Sequence, residues 1–282
     1  MPLLFRKIKD LRNHLNTLRC ERNFSLGFVP TMGYLHEGHK ALIKRSRLQN
    51  EVTVVSVYVN PTQFGEGEDY ERYPRDLDRD MAVCEELGVD VVFAPTDEEI
   101  YPPGSKTEVY VRELSEILEG KFRPGHFKGV ATVVTKLLNA VQPDRAYFGE
   151  KDYQQLKIIQ RLVRDLLIPV EIVPVETVRE PDGLAYSSRN VYLSPEERES
   201  ALSIYRSFLL AQEMINQGER NSAIIKEEME RFILSHPHVK KIDYIEITDP
   251  ELNPKESVEK GDRILVALWV GSTRLIDNWK VG

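Results

Sequence analysis

Residues 24–39 read Phe-Ser-Leu-Gly-Phe-Val-Pro-Thr-Met-Gly-Tyr-Leu-His-Glu-Gly-His, an apolar run that breaks at a Pro-Thr-Met-Gly turn and ends on two histidines. Residues 24–30 have the continuous apolar character of a strand buried on both faces, and the pattern from about 38 to 49 is helical. The next apolar run, residues 52–59 (VTVVSVYV), is a second buried strand. Strand, turn, helix and strand in that order predict a parallel βαβ unit, because a crossover helix is what returns the chain to lay down a parallel neighbour.

Outward from this unit the alternation continues. Residues 76–87 are helical and closed by Gly88, residues 89–94 (VDVVFA) are strand-like, and further strands are expected at 108–111, 145–148 and 171–175. Two longer helices flank the 145–148 segment. Phe127, Val130, Val134 and Leu138 share a face of one, Leu156, Ile159, Val163 and Leu166 a face of the other, and both stripes read as core packing. Near residue 176 the grammar changes. Ser194-Pro195-Glu196-Glu197 has a capping Ser, a first-turn Pro and a Glu that reaches back, so a helix is expected to about 217. A second helix follows at 222–234, then strands at 242–247, 264–270 and 274–277. The expected architecture is α/β: a Rossmann-like doubly wound parallel sheet over residues 1–175, then a smaller C-terminal α+β domain over 176–282 that acts as a lid.

The net charge of −7 opposes the positive field that non-specific nucleic-acid binding needs, so no nucleic-acid partner is expected. No run approaches the roughly 18 uninterrupted apolar residues of a membrane span, and the first residues lack a signal-peptide pattern. Cys20 and Cys84 stand alone, with neither a CxxC nor a histidine at ligand spacing, and read as small core residues. A reducing, cytoplasmic location is the expectation.

Five polar segments carry the candidate chemistry. The first is the Met32–His39 stretch. Ligands of doubly wound sheets bind beyond the carboxyl ends of strands, where the N–H groups and dipole of a starting helix suit phosphate. Gly33 and Gly38 let the chain turn and a nucleotide approach. His36 and His39, three apart, face one way, and an imidazolium there can donate to phosphoryl oxygens in a transition state. His-x-x-His alone would read better as surface histidines; its place after a strand and inside the turn favours chemistry. The second segment, Tyr58-Val59-Asn60-Pro61-Thr62-Gln63-Phe64-Gly65, brings the amides of Asn60 and Gln63 to the same sheet edge, unless it is an ordinary Asn-Pro turn. In the charge run that follows, a solvated face by default, Asp80 is the candidate ligand for Mg²⁺, which takes only one or two protein carboxylates beside phosphates.

The third segment, Phe122-Arg123-Pro124-Gly125-His126-Phe127-Lys128-Gly129, places positive charge at a helix start, where the dipole disfavours it unless an anion lies close; a simple loop is an equal reading. In the fourth, residues 147–155, Lys151 can meet phosphate and Asp152 a ribose hydroxyl or Mg²⁺ through water. Asp152 and Gln155 equally fit a capping box, and spacing alone does not separate the two. The fifth, residues 177–190, joins a Pro-Asp-Gly turn to a flexible, hydroxyl-rich loop with an arginine that can fold over a triphosphate.

The His-x-Gly-His box resembles that of the nucleotidyltransferase-like superfamily, shared with class I aminoacyl-tRNA synthetases. Taken together, PTMGYLHEGH, YVNPTQF, RPGHFKGVATVV, FGEKDYQQL and YSSRN, in this order over residues 30–190, resemble the pantothenate synthetase (pantoate–β-alanine ligase) family. The resemblance implies ATP-dependent joining of pantoate and β-alanine through a pantoyl adenylate. It implies an ATP site of Met32, Gly33, Tyr34, Leu35, His36, Glu37, Gly38, His39, Gly149, Glu150, Lys151, Asp152, Val178, Tyr186, Ser187, Ser188 and Arg189. Of these, His39, His36, Lys151 and Arg189 would be catalytic. Gln63 would bind both pantoate and β-alanine and Gln155 pantoate, with Asn60, Arg123 and His126 also expected at the substrates. ATP would arrive with Mg²⁺, and the chain would form a homodimer through its larger domain. The rival within the superfamily, a nucleotidyltransferase, keeps AMP in its product, whereas the ligase frees AMP only with pantoate and β-alanine both present.

Overall fold

The computed structural model describes all 282 residues, which fold into two compact units. The first comprises Met1–Glu150 and Gln155–Glu176, the second Lys151–Gln154 and Thr177–Gly282. The first unit contains β1 (Leu3–Phe5), α1 (Ile8–Glu21), β2 (Leu26–Thr31), α2 (Glu37–Gln49), β3 (Val52–Val57), α3 (Leu77–Glu86) and β4 (Val91–Phe93). Two single-turn helices, α4 (Asp97–Ile100) and α5 (Glu119–Phe122), lead to α6 (His126–Val141), β5 (Arg145–Gly149), α7 (Tyr153–Asp165) and β6 (Glu171–Val175). The first two residues of α7 belong to the second unit.

All six strands are parallel in the order β1-β4-β3-β2-β5-β6, with Phe28 opposite Val54 on one side and Ala146 on the other. From β2 the chain winds outward through β3 and β4, then returns to β5 and β6 on the other side. The strand order therefore reverses between β2 and β5, and their carboxyl ends flank the crevice where such sheets bind ligands. Phe28, Val29, Val54, Val55, Val92 and Ala146 are fully buried, which is why these strands read as unbroken apolar runs.

Some expectations need correction. Residues 108–111 join no ladder; instead the Val109 N–H donates to Thr132 Oγ1 at 2.9 Å, a side chain taking the place of a neighbouring strand. Edge strand β1 and helix α1 are additions: β1 has only three residues, with Leu3 and Leu4 exposed, and offers no period to read, whereas α1 carries Ile8, Leu11, Leu15 and Leu18 at helical spacing and was legible in the sequence. Cys84 is buried as expected, with burial pushing its thiol up to about 12, but Cys20 is exposed. Leu166 falls beyond the end of α7 and is exposed.

In the second unit the helix expected to 217 divides at Leu202 into α8 (Pro195–Ala201) and α9 (Ser203–Asn216), and α10 (Ser222–Leu234) follows. The capping box at Ser194 and Glu197 forms in both directions. The antiparallel sheet β7 (Val239–Thr248), β8 (Arg263–Val270), β9 (Thr273–Lys280) packs Val266 and Leu268 with Phe208, Ala211, Ile225 and Met229 of the helices. No helix is long and apolar enough to cross a membrane.

Candidate active site

The turn after β2 is built by one hydrogen bond that the sequence encodes locally and three that it does not. Thr31 Oγ1 donates to Ser56 O at 2.7 Å and accepts the Gly33 N–H at 3.1 Å, closing the bend. Gly33 has φ 81°, and a Cβ there would fall 2.8 Å from both Asp80 Oδ2 and Val57 Cγ1. Tyr34 also takes a left-handed φ of 52°, which costs a side-chain-bearing residue about 1 kcal/mol and needs support. Asp80, at the start of α3, supplies it. Its two carboxylate oxygens accept the N–H groups of Tyr34 at 2.8 Å and Leu35 at 2.7 Å, while the Arg79 guanidinium stacks 4.4 Å from the Tyr34 ring centre.

Asp80 is thus a brace for the turn, in place of the expected Mg²⁺ ligand. Only 1% of its surface is exposed, and burial raises its carboxyl above the ordinary range against the two backbone bonds that lower it. Asp80→Asn sets an amide NH₂ against one of those N–H donors and is expected to cost roughly 1–3 kcal/mol of stability. Turnover should fall with it, while the Mg²⁺ concentration giving half-maximal activity stays that of the parent; a tenfold rise in that concentration would reinstate the metal role.

His36 caps α2, its Nδ1 accepting the Gly38 N–H at 3.2 Å, and the His36 N–H donates back to His39 Nδ1 at 3.3 Å. The rings lie 4.1 Å apart and tilted by 36°. Because Nδ1 of each ring accepts, the ring proton of each belongs on Nε2. The pair therefore presents two Nε2–H donors away from the cap. Gly38, inside α2, contributes its N–H to this cap rather than an unusual backbone angle.

The second segment reaches the first through Gln63, whose Nε2 contacts Met32 Sδ at 3.2 Å. Asn60 is 1% exposed, and its capacity is committed within the protein. Its Nδ2 donates to Gln63 Oε1 (3.1 Å) and Gly129 O (3.2 Å); its Oδ1 accepts from Thr62 Oγ1 (3.0 Å) and Tyr101 OH (2.8 Å). The structure therefore gives Asn60 the task of orienting Gln63, in place of the expected substrate contact. The anion implied by the basic third segment is also internal. Glu68 takes Arg123 in a two-pronged pair at 2.6 and 2.8 Å, Glu108 takes Lys128 at 3.1 Å, and Arg123 Nη1 donates to His126 Nε2 at 3.2 Å. His126 Nδ1–H donates in turn to Gln63 O at 2.8 Å. Arg123 and His126, expected at the substrates, here support the 61–63 turn from behind Gln63.

Burial, with the neighbouring Arg123 charge second, holds His126 down at about 4, so it stays neutral in the fold. An unfolded chain takes up this proton near 6.5, before the folded one does, so stability that is complete above about 6.5 is lost as pH falls towards 4. Part of the residue stays accessible, so the loss is nearer about 1 kcal/mol than the ~3 kcal/mol that full burial would give. Denaturant titrations at several pH values should show a shallower slope in this window for His126→Asn than for the parent; identical slopes would remove His126 as the cause.

Gly149 ends β5 and Glu150 opens the short 3-10 turn Glu150–Asp152; Gln155 lies in the first turn of α7. In the second unit, Lys151 Nζ lies 3.3 Å from Asp152 Oδ1. Val178 O accepts the Tyr186 N–H at 3.1 Å, and Arg179 pairs with Ala185, so residues 178–186 form a small hairpin. Asn190 Nδ2 clamps it through Glu180 Oε1 (3.2 Å) and Ala185 O (3.0 Å), and Arg198 grips both Glu180 and Asp182. Ser187 Oγ accepts the Arg189 N–H at 3.2 Å and starts the 3-10 turn Ser188–Tyr192, in which Ser188 is buried. Glu68, Tyr101, Arg79 and Asp277 escaped sequence reading because each acts on a partner 40 or more residues away; Gly129 was visible, inside a quoted block.

A family model, Pantoate-beta-alanine ligase, matches residues 3–280. The pantothenate synthetase of Aquifex aeolicus is 72% identical over 281 residues, covering 100% of this chain and 99% of its own. That of Moorella thermoacetica is 53% identical over 276 residues, covering 98% and 97%. The crystal structure of pantothenate synthetase from Thermus thermophilus superposes with a TM-score of 0.93 at 51% identity over 99% of both chains. The ligase from Francisella tularensis, complexed with beta-gamma ATP and beta-alanine, gives 0.81 at 37% identity over 99% of this chain and 98% of its own. By its five motifs, its strand order and a family match over nearly its whole length, this chain belongs to the pantoate–β-alanine ligase family.

Proposed function

We infer that the chain joins pantoate to β-alanine at the expense of ATP, through a pantoyl adenylate. The observation that carries this reading is the braced histidine turn at the carboxyl end of β2, beside the strand-order reversal, in a chain matched by the ligase family over residues 3–280. The pantoate carboxylate attacks the α-phosphorus of Mg-ATP, forming the C–O–P anhydride and releasing pyrophosphate. The β-alanine amine then attacks the anhydride carbonyl, loses a proton and displaces AMP. A carboxylate is already ionised and nucleophilic at neutral pH, so the protein's contribution is placement and charge stabilisation.

In this reading the Nε2–H groups of His36 and His39 donate to phosphate oxygens, and the backbone of Met32–His39 holds the nucleotide. Gln63 and Gln155 hold pantoate. Lys151 and the Ser187–Arg189 turn bind the leaving pyrophosphate, with Gly149, Glu150, Asp152, Val178 and Tyr186 completing the nucleotide contacts. Mg²⁺ takes only one or two protein carboxylates beside phosphates, so we assign it to the incoming nucleotide as part of the substrate. The reading includes a homodimer formed through the first unit, tested by sedimentation at twice the chain mass, and a cytoplasmic location. Pantoate-dependent exchange of labelled pyrophosphate into ATP tests substrate and intermediate together. Exchange without pantoate, or AMP retained in the product, would overturn the assignment in favour of a nucleotidyltransferase.

A further inference from the structure

We propose that Asn278 is the positioning residue for Lys151, and that the end of β9 holds Lys151 and the Ser187–Arg189 turn in one rigid frame. The proposal rests on the reading that both groups meet the nucleotide phosphates. By sequence, Lys151 follows β5 and should take its place from the parallel sheet. The structure assigns it elsewhere: residues Lys151–Gln154 fold with the second unit. Asn278, 4% exposed, donates from Nδ2 to Lys151 O at 3.0 Å, and its Oδ1 accepts from Arg263 Nη1 at 3.1 Å. The Arg263 guanidinium lies 4.2 Å from the centre of the Tyr153 ring, and Tyr153 OH donates to Pro250 O at 2.9 Å. Lys151 and Tyr153 of this excursion are thereby tied to β9 and β8, and Tyr153 also to Pro250 just beyond β7.

The neighbouring residue serves the other phosphate element. Asp277 takes Arg179 at 2.6 and 3.1 Å, and Arg179 also donates to Gly183 O (3.1 Å) and Asn278 O (3.2 Å). Arg179 lies in the hairpin that runs directly into Ser187–Arg189. Two adjacent residues of β9 thus fix, one each, the segment bearing the lysine and the hairpin bearing the serines and arginine. Lys151 and the Ser187–Arg189 turn thus belong to the second unit, and Gln63 and Gln155 to the first. A shift of about 1 Å in one reacting group is enough to cost up to ~100-fold in rate, so this frame sets the chemistry without touching substrate.

The test uses Asn278→Asp, which keeps the Arg263 acceptor and the volume but replaces the donor to Lys151 O with a repelling oxygen, and Asn278→Ala as a second variant. Pantoate-dependent ATP–pyrophosphate exchange, pantoate affinity by calorimetry and melting temperature are measured for both, beside Lys151→Ala. The expected result is a fall in exchange kcat of roughly tenfold or more, with pantoate affinity within twofold of the parent. A merely structural residue would lower the melting temperature and leave the kcat of the folded fraction alone; that outcome, in either variant that folds, overturns the proposal. Unchanged exchange in Lys151→Ala would instead sink the phosphate reading of Lys151 itself.

Discussion

Replacing His39 with alanine should lower turnover in pyrophosphate exchange by about 100- to 1,000-fold, the effect of deleting one preorganised donor to a developing oxyanion. The fold should survive. The fold loses the 3.3 Å contact from His36 N–H to His39 Nδ1 and the ring contact with His36, at a capped helix start where a lost hydrogen bond is worth roughly 0.5–1.5 kcal/mol. The same hydrogen bond explains why the residue is poised: with Nδ1 committed as an acceptor, the ring must carry its proton on Nε2, and the ring cannot flip without breaking the cap. His39→Asn supplies an independent check, since its short amide can keep the capping bond but cannot extend a donor as far as Nε2. Parent-like melting with turnover as poor as the alanine variant is the expected outcome. Near-parent turnover in either variant would remove His39 from the chemistry and leave it a cap.

The doubly wound half of the fold was legible because its strands are buried on both faces, so residues 52–57 read as VTVVSV with no competing periodicity. What was hidden is long-range. Residues 108–111 look like a strand because Val109 and Val111 alternate with polar residues, yet a strand requires a neighbour, and sequence says nothing about whether one is near. Asp80 had the composition of a metal ligand and the burial of a brace, and only the two N–H groups 45 and 46 residues away decide between them. Arg123 looked like a substrate contact because charge at a helix start demands an anion; the demand was real, and Glu68, 55 residues upstream, satisfies it. Lys151 stood out in the sequence by its charge after a strand, but its place in the second unit rests on Asn278 and Arg263 at the far end of the chain.

Gly129→Ala should combine lost stability with lost pantoate affinity, against the usual sign of the substitution. Inside a helix, alanine normally stabilises relative to glycine by about 1 kcal/mol. Here a Cβ would fall 2.4 Å from Thr62 O, 2.6 Å from Thr62 C and 2.7 Å from Gln63 Cα, all backbone atoms that no rotamer change can move aside. Relief requires α6 or the 61–63 turn to shift, at the roughly 1–3 kcal/mol typical of overpacking, so the net effect is destabilising and the melting temperature should drop by several degrees. The turn is the softer of the two, a single 3-10 bend held by side chains, whereas Phe127, Val130 and Val134 anchor α6 in the core. Its displacement stretches the Asn60 Nδ2 to Gly129 O bond and the His126 to Gln63 O bond, and carries the Gln63 amide away from Met32. The KM for pantoate should therefore rise at least about tenfold, the equivalent of ~1.4 kcal/mol of binding, with the KM for ATP changing far less. A variant that melts at or above the parent temperature would show that the close approach is absent. One that loses stability yet binds pantoate normally would show that Gln63 does not depend on the turn behind it.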